Sequence, residues 1–547
     1  MSATVTVDPV LLEVIRNALV AGAEEMNISI WRTARSTVVR ETLDYSTALF
    51  DGRGNAIAQS TRIPIHLNSM SVCLEDIVLH HIPLDQWNDG DVILTNDPYC
   101  GGQHLPDFVV FQPLYVNGER VAIAAAIVHH IDVSGGAAGS YFAGAKEVYH
   151  EGLRIPPVKL VEGGVTNEAI VAIVRQNSRE PEKIGGDLQA QIASLAVGAR
   201  AIERLAARYD NAVILSAMDA ILAQSEAVMR ETIAAIPDGT YRFEDYVDDD
   251  GQSAVDLSVI ARVEVHGDSV TVDLSESADQ APGPVNCTLN MARSGVYCAL
   301  LSVAEGRAMA NSGAYKPIEV ICRPGSIANC LHPAPVANRM ATGHRIVTTV
   351  LGALAEPLPE LIPAAYYGVS YVAALSAPDR FVEGERRVYF EIEVGGWGGN
   401  PQADGANGFS AGFHNLANSP VEMCESLFPI VFTEYAFVEG SGGDGQHRGG
   451  LGLAREWQLD AEWGSLSGNF ERFRHAPYGI NGGKEGSKGR FLHITDQATV
   501  ELPSKISGVE LKKGDRVRLE TSGGGGWGDP ALRDEADRRA DREGGYY

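Results

Sequence analysis

Between residues 107 and 129 the chain carries two apolar runs of similar length around one turn signal. The runs, 108–115 and 120–128, flank Val-Asn-Gly-Glu at 116–119, and Asn-Gly between such runs is a strong short-range hairpin signal. The second run is β-branched and alanine-rich with little polar alternation. That pattern suits a strand buried on both faces. The fold around this segment is therefore tightly constrained, and the constraint has a consequence at the open end of the hairpin. Strands of similar length return His129 to the neighbourhood of Asp107.

Both ends are rich in groups that bind cations. Asp107 closes Asn96-Asp97-Pro98-Tyr99-Cys100-Gly101-Gly102-Gln103-His104-Leu105-Pro106-Asp107, and His129-His130-Ile131-Asp132 follows the second run. His104 and Asp107 stand three apart with a proline between them, a spacing that turns both toward one point. Gly101 and Gly102 let the backbone bend closely there. A third ligand from the neighbouring strand would complete part of a metal site. Side chains alternate faces along a strand, so only one of His129 and His130 reaches the same ion. Against this stands the blander reading of each histidine as a hydrogen-bonded structural residue.

The rest of the chain supplies a frame. Asp8 caps and Pro9 opens a helix expected to run to about Ser36, with Gly22 on its apolar face where a missing side chain allows close packing. Strand-like runs lie at 46–50 and 92–95. Residues 180–235 read as helical with a break at 209–211, and alternating strands follow at 239–247, 254–265 and 269–274. The acidic run 248–250 reads as a hairpin tip. Helices are expected near 291–305 and from about Thr342, and the last 150 residues are rich in Gly, Trp and strand-like runs. The expected class is mixed α/β (α+β). It has a metal-binding helix-plus-sheet region over 1–180, a helical pair with antiparallel strands over 181–280 and a mixed region over 281–390. A Gly-rich β region covers 391–530, and a charged, frayed tail covers 531–547.

Composition and motifs narrow the function. With 44 basic and 71 acidic residues, the formal charge of −27 disfavours nucleic acid and anionic membrane as partners. The seven cysteines are scattered and odd in number, without a CxxC pair, which fits a reducing compartment better than a disulfide scaffold. The first residues lack a basic start followed by a long apolar run, and no uninterrupted apolar stretch reaches membrane-spanning length, so a cytoplasmic protein is expected. No Gly-rich loop continues as a P-loop, and no G-x-S-x-G elbow is present. Glu147, His150 and Glu151 are weaker candidates for a base or substrate contacts, set against the blander reading of loop and cap residues. Cys100 reads as a buried small residue rather than a nucleophile.

These segments resemble the hydantoinase B/oxoprolinase family: Leu-Asp-Tyr-Ser-Thr-Ala-Leu-Phe-Asp at 43–51, the 96–107 and 129–132 motifs, Glu-Gly-Leu-Arg-Ile-Pro-Pro at 151–157, and the glycine-rich stretches 442–452 and 523–530. The resemblance implies a divalent metal, zinc or manganese, held by Asp44, His104, Asp107 and His129. Asp97 or His130 would orient water or pass its proton. It further implies a hetero-oligomer with a hydantoinase A-type subunit that binds ATP and Mg. That partner would activate a hydantoin or lactam by phosphorylating the amide oxygen, and this chain would open the ring. The alternative is a subunit of an ATP-dependent ketone carboxylase of the acetone or acetophenone type.

Overall fold

The computed structural model describes residues 7–66 and 68–546. The leader reading falls partly on residues 1–6, outside the described residues. Asp8 accepts from the Val10 and Leu11 amides at 3.0 and 3.1 Å and Pro9 enters the first turn, starting α1 (Pro9–Thr33) as its sequence predicts. The helix ends three residues before the expected Ser36. Ala34 turns extended, and the Ser36 hydroxyl instead caps a short second helix, α2 (Thr37–Arg40), by accepting from the Val39 amide.

Seven antiparallel strands form the first sheet: β1 (Tyr45–Asp51), β2 (Ala56–Gln59), β3 (Val92–Thr95), β4 (Asp107–Val116), β5 (Glu119–His129), β6 (Val158–Glu162) and β7 (Val165–Thr166). Their spatial order is β2-β1-β5-β4-β3-β6-β7. Asn117 and Gly118 both take positive φ, 53° and 79°, as a two-residue hairpin turn matched to strand twist requires. The Ala/Ile/Val run makes β5 an interior strand, third in that order, and it is covered on both faces. On one side Val128, Ala126 and Ala124 share a core with Phe108 and Val110. Ile127, Ala125 and Ile123 pack on the other with Val109 and Phe111.

The first face is roofed by α1 and by α5 (Pro181–Ala206), which follows α3 (Ser69–Asp76) and α4 (Glu168–Gln176) in the chain. A Cβ at Gly22 would lie 2.7 Å from Ala201 Cβ, so the missing side chain sets how closely α1 and α5 approach. Helix α6 (Asn211–Ala234) is long and apolar enough by composition to cross a membrane; here it packs through Ile214, Ala217, Met218, Ile221 and Leu222. Strands β8 (Gly239–Asp249), β9 (Val255–His266) and β10 (Ser269–Asp273) then run as an antiparallel meander, with β11 (Ile318–Ile321) added in parallel to β10. At the β8–β9 turn Asp248 is not a solvated tip: its buried carboxylate accepts from the Phe473, Arg474 and His475 amides.

Helices α7 (Leu289–Val303), α8 (Ser312–Tyr315) and α9 (Met340–Leu354) complete the middle of the chain. Two further antiparallel sheets, of four and five strands, hold the C-terminal part. The mixed α/β reading holds, whereas the frayed tail does not. Residues Glu535–Glu543 form a helix whose Asp541 is buried against Arg448 and Arg533, and Arg533 also pairs with Asp404. Arg533 and Asp541 are buried as a pair, while Glu535, Asp537, Arg539 and Glu543 stay solvated.

Candidate metal centre

Three adjacent strands of the first sheet bring their ends to one point. In the β4–β5 ladder Asp107 faces His129 directly, and in the β1–β5 ladder Tyr45 faces Val128, so Asp44 arrives beside His129. The His129 amide donates to Asp44 O at 3.0 Å. Because side chains alternate, Asp107 and His129 point away from the α1/α5 face. His104, whose carbonyl accepts from the Asp107 amide at 3.1 Å, folds over the same point. Its Nε2 lies 3.2 Å from Asp107 Oδ1, and its ring centre lies 5.0 Å from that of His129. One ligand atom from each of His104, Asp107 and His129 falls within 4.8 Å of the other two.

The groups are buried and short of partners. Both nitrogens of His104 and of His129, and Asp107 Oδ1, are enclosed without a hydrogen-bond partner. Stranding several strong donors and acceptors in one place is costly unless something else satisfies them. The protonation states agree. Burial, then the Arg339 charge, lowers His104 to about 4. Burial, then His104, lowers His129 well below the ordinary range. Both imidazoles are therefore neutral, with lone pairs free. Burial raises Asp107, but His104 and Arg339 outweigh it and hold its carboxyl far down. Burial, followed by the facing Asp107 charge, pushes Asp44 up to about 8. Two carboxylates, two neutral imidazoles and unsatisfied nitrogen and oxygen atoms are a donor set that fits a divalent cation.

Further residues surround this set, and of them the sequence reading had singled out only Glu151. Arg339, at the start of α9 and nearly fully buried, donates through Nη2 to Asp107 Oδ2 at 2.8 Å and to Gln103 Oε1 at 3.3 Å. Tyr141 packs its ring 5.5 Å from His104 and 6.2 Å from His129, and burial keeps its phenol protonated. His66 Nε2 lies 3.9 Å from Asp44 Oδ1, while its Nδ1 meets Ser46 Oγ at 3.1 Å. The segment after the His332-Pro333 bond is anchored by Glu151, whose Oε1 accepts from the Val336 and Ala337 amides at 2.7 Å each. Glu151 thus holds the stretch that delivers Arg339. A second polar group lies behind: His414 meets Ser370 Oγ and His344 Nε2, and His344 Nδ1 meets Tyr366 Oη at 2.9 Å. Tyr366 and Phe413 also line an apolar cavity of about 120 Å³.

Two residues considered for proton handling stand apart. His130 points to the opposite face, its ring 4.3 Å from that of Phe108, with Asp187 and Gln191 among its polar neighbours. Asp97 caps the 98–100 turn by accepting from the Tyr99 amide at 3.0 Å and pairs with Arg154 at 3.2 Å. Asp132 organises the following loop, accepting from the Ser134, Gly139 and Arg179 amides and from the Arg179 guanidinium.

Residues 8–530 match the family model described as hydantoinase B/oxoprolinase. A protein from Pseudomonas sp. (strain NS671), named as the B component of a D-/L-hydantoinase, is 30% identical across 96% of this chain and 91% of its own length. The caprolactamase beta subunit of Pseudomonas jessenii is 32% identical across 98% and 93%. The crystal structure of the ATP-dependent caprolactamase from the same organism superposes with a TM-score of 0.92 at 29% identity, covering 99% of this chain and 95% of that one. A nucleotide-free acetone carboxylase structure shares the fold, with a TM-score of 0.91 at 18% identity over 98% and 78% of the two chains.

Proposed function

This chain belongs to the hydantoinase B/oxoprolinase family, and from that premise we propose that it is the metal-bearing subunit of an ATP-dependent cyclic-amide hydrolase. It works beside an ATP-binding subunit of the hydantoinase A type. The names of the relatives, a hydantoinase B component and a caprolactamase beta subunit, support a separate partner. The observation that carries the reading is the gathering of Asp107, His129 and His104, with Asp44 alongside, at one end of the sheet, where both imidazoles and one Asp107 oxygen lack hydrogen-bond partners.

Asp44, His104, Asp107 and His129 would hold the ion. Bound there, a divalent cation supplies Lewis acidity, lowering the pKa of water and polarising a carbonyl. The chain's own residues set the conditions. Burial excludes bulk solvent and strengthens each electrostatic contact. Arg339 fixes one Asp107 oxygen at 2.8 Å and leaves the other facing His104. Tyr141, held protonated beside both imidazoles, would donate to the oxygen that gains negative charge as water adds to the amide carbon. In the reaction, one water adds to the amide carbon whose oxygen the partner has phosphorylated at the expense of ATP, and the ring C–N bond breaks as the nitrogen takes a proton. A second water then cleaves the resulting acyl phosphate, releasing the carboxylate and inorganic phosphate. Asp97 and His130 serve the loop and the sheet packing rather than the reacting atoms.

The test is co-expression with the ATP-binding partner and assay of ATP-dependent ring opening of hydantoins and lactams. His104→Ala should lose bound metal and ring opening while the complex still assembles. A mutant complex with full metal content and full turnover refutes the assignment. Turnover that needs bicarbonate moves the chain to ketone carboxylation.

A further inference from the structure

We propose that Asp76, His81 and Cys100 form a second binding site for a borderline-soft divalent cation such as zinc, outside the Asp107–His129 cluster, which clips the loop carrying His104 and Asp107 to helix α3. His81 Nε2 lies 3.3 Å from Asp76 Oδ2 and 3.3 Å from Cys100 Sγ. The three ligand atoms all fall within 4.8 Å of one another. Tetrahedral zinc with bonds of about 2.0 Å to N and O and about 2.3 Å to S has ligand–ligand edges of about 3.3–3.5 Å. The two separations through His81 match those edges. Asp76 Oδ2 is enclosed beside His81 Nε2 and the Cys100 thiol.

The backbone supplies an independent observation. In an α-helix, residues five apart point about 140° away from each other. Asp76 ends α3, and the next five residues, Ile77–His81, form a π-turn in which the Ile82 amide donates to Ile77 O at 2.7 Å. The wider turn brings residues five apart onto one face, so Asp76 and His81 converge only because the helix departs from α geometry there. The π-turn is the last turn of this helix, after which Ile82 turns extended. Cys100 is delivered by the 98–100 turn, and its neighbour Gly101, at φ +80°, fits against the Cys73 backbone, where a Cβ would lie 2.4 Å from Cys73 Cα. Helix and loop are thus already in contact where the cation would join them. Burial, then the Asp97 and Asp76 charges, pushes the Cys100 thiol up to about 12, so it holds its proton until a cation displaces it. His81 is about one-third exposed, which leaves the fourth position open to water.

The experiment uses the full chain, stripped with chelator and titrated with Co²⁺. The wild type should take up two equivalents, one of which shows a near-ultraviolet thiolate-to-cobalt charge-transfer band. His104→Ala should keep that band with one equivalent. Cys100→Ser should lose the band while six other cysteines remain, and His81→Gln, at an exposed position where folding is not at risk, should weaken the banded equivalent at least tenfold. A wild type without the band, or a band that survives Cys100→Ser or is unmoved by His81→Gln, overturns the site. Because the readout is a thiolate ligand, failure here is separable from failure of the ring-opening assignment.

Discussion

Arg339 is the residue through which the cluster is most open to measurement. It is almost wholly enclosed, and one of its nitrogens bonds Asp107 at 2.8 Å. Two others, Nε and Nη1, have no hydrogen-bond partner. Replacing it with methionine keeps much of the stem but leaves Asp107 an uncompensated buried charge, a loss of about 3–5 kcal/mol. Asp107→Asn removes the charge that Arg339 serves and strands the guanidinium. If each single change leaves one charge alone, the double variant removes both, and should recover about 2–3 kcal/mol relative to the sum of the singles. The cycle is run in chelator, by hydrogen exchange of the β4–β5 amides, which reads local stability without requiring a chain of this size to unfold in one step. Saturating zinc or manganese should then shrink the Arg339→Met deficit, because a cation takes over neutralisation of Asp107. Additivity within about 0.5 kcal/mol in chelator, or a deficit unchanged by metal, refutes the electrostatic argument.

Three other outcomes follow from the same geometry. The metal-free Asp44 carboxyl sits near pH 8, above its unfolded value of 3.8, so its contribution to stability is present at low pH and is lost as pH rises between those values. A bound cation must displace that proton, so affinity should climb with pH up to about 8 and calorimetry in buffers of different ionisation heat should detect proton release; pH-independent affinity without release is the contrary result. His129→Ala should abolish metal binding at the cluster, whereas His130→Ala should keep it and lose about 2–3 kcal/mol of packing against Phe108 and Gln191; equal metal loss in both contradicts the facing of the two rings. Gly22→Val should destabilise by about 2–3 kcal/mol, since a Cβ there already meets Ala201 at 2.7 Å, and an unchanged denaturation midpoint would show that α1 and α5 separate at no cost.

Much of the site's frame was legible because it is local. Matched strand lengths and one Asn-Gly turn place Asp107 opposite His129 in the ladder, and alternation along a strand sends His130 to the other face. Asp44 was not derivable that way. Its place depends on β1 pairing with β5 across some eighty residues, and only the resemblance of its motif pointed to it. Arg339 was invisible for a stronger reason. It comes from the start of α9, and nothing in Asn-Arg-Met-Ala-Thr-Gly-His records a carboxylate 232 positions earlier. Glu151 carried a weak signal, as a carboxyl in a proline-rich loop, but its buried contact with the 336–337 amides is tertiary. The C-terminal tail was only half legible: charge patterning reports the hydration of its exposed face, but not that Arg533 and Asp541 dock it against Arg448 and Asp404.

The position of Arg339 also orders events during synthesis. Some 210 residues separate it from His129, so at about 5–20 residues per second it leaves the ribosome roughly 10–40 s after the three-strand end that it neutralises. A nascent sheet closed during that interval holds Asp44 and Asp107 face to face without their arginine. A proton retained by Asp44, which burial and the Asp107 charge favour, leaves that closed end with one negative charge rather than two.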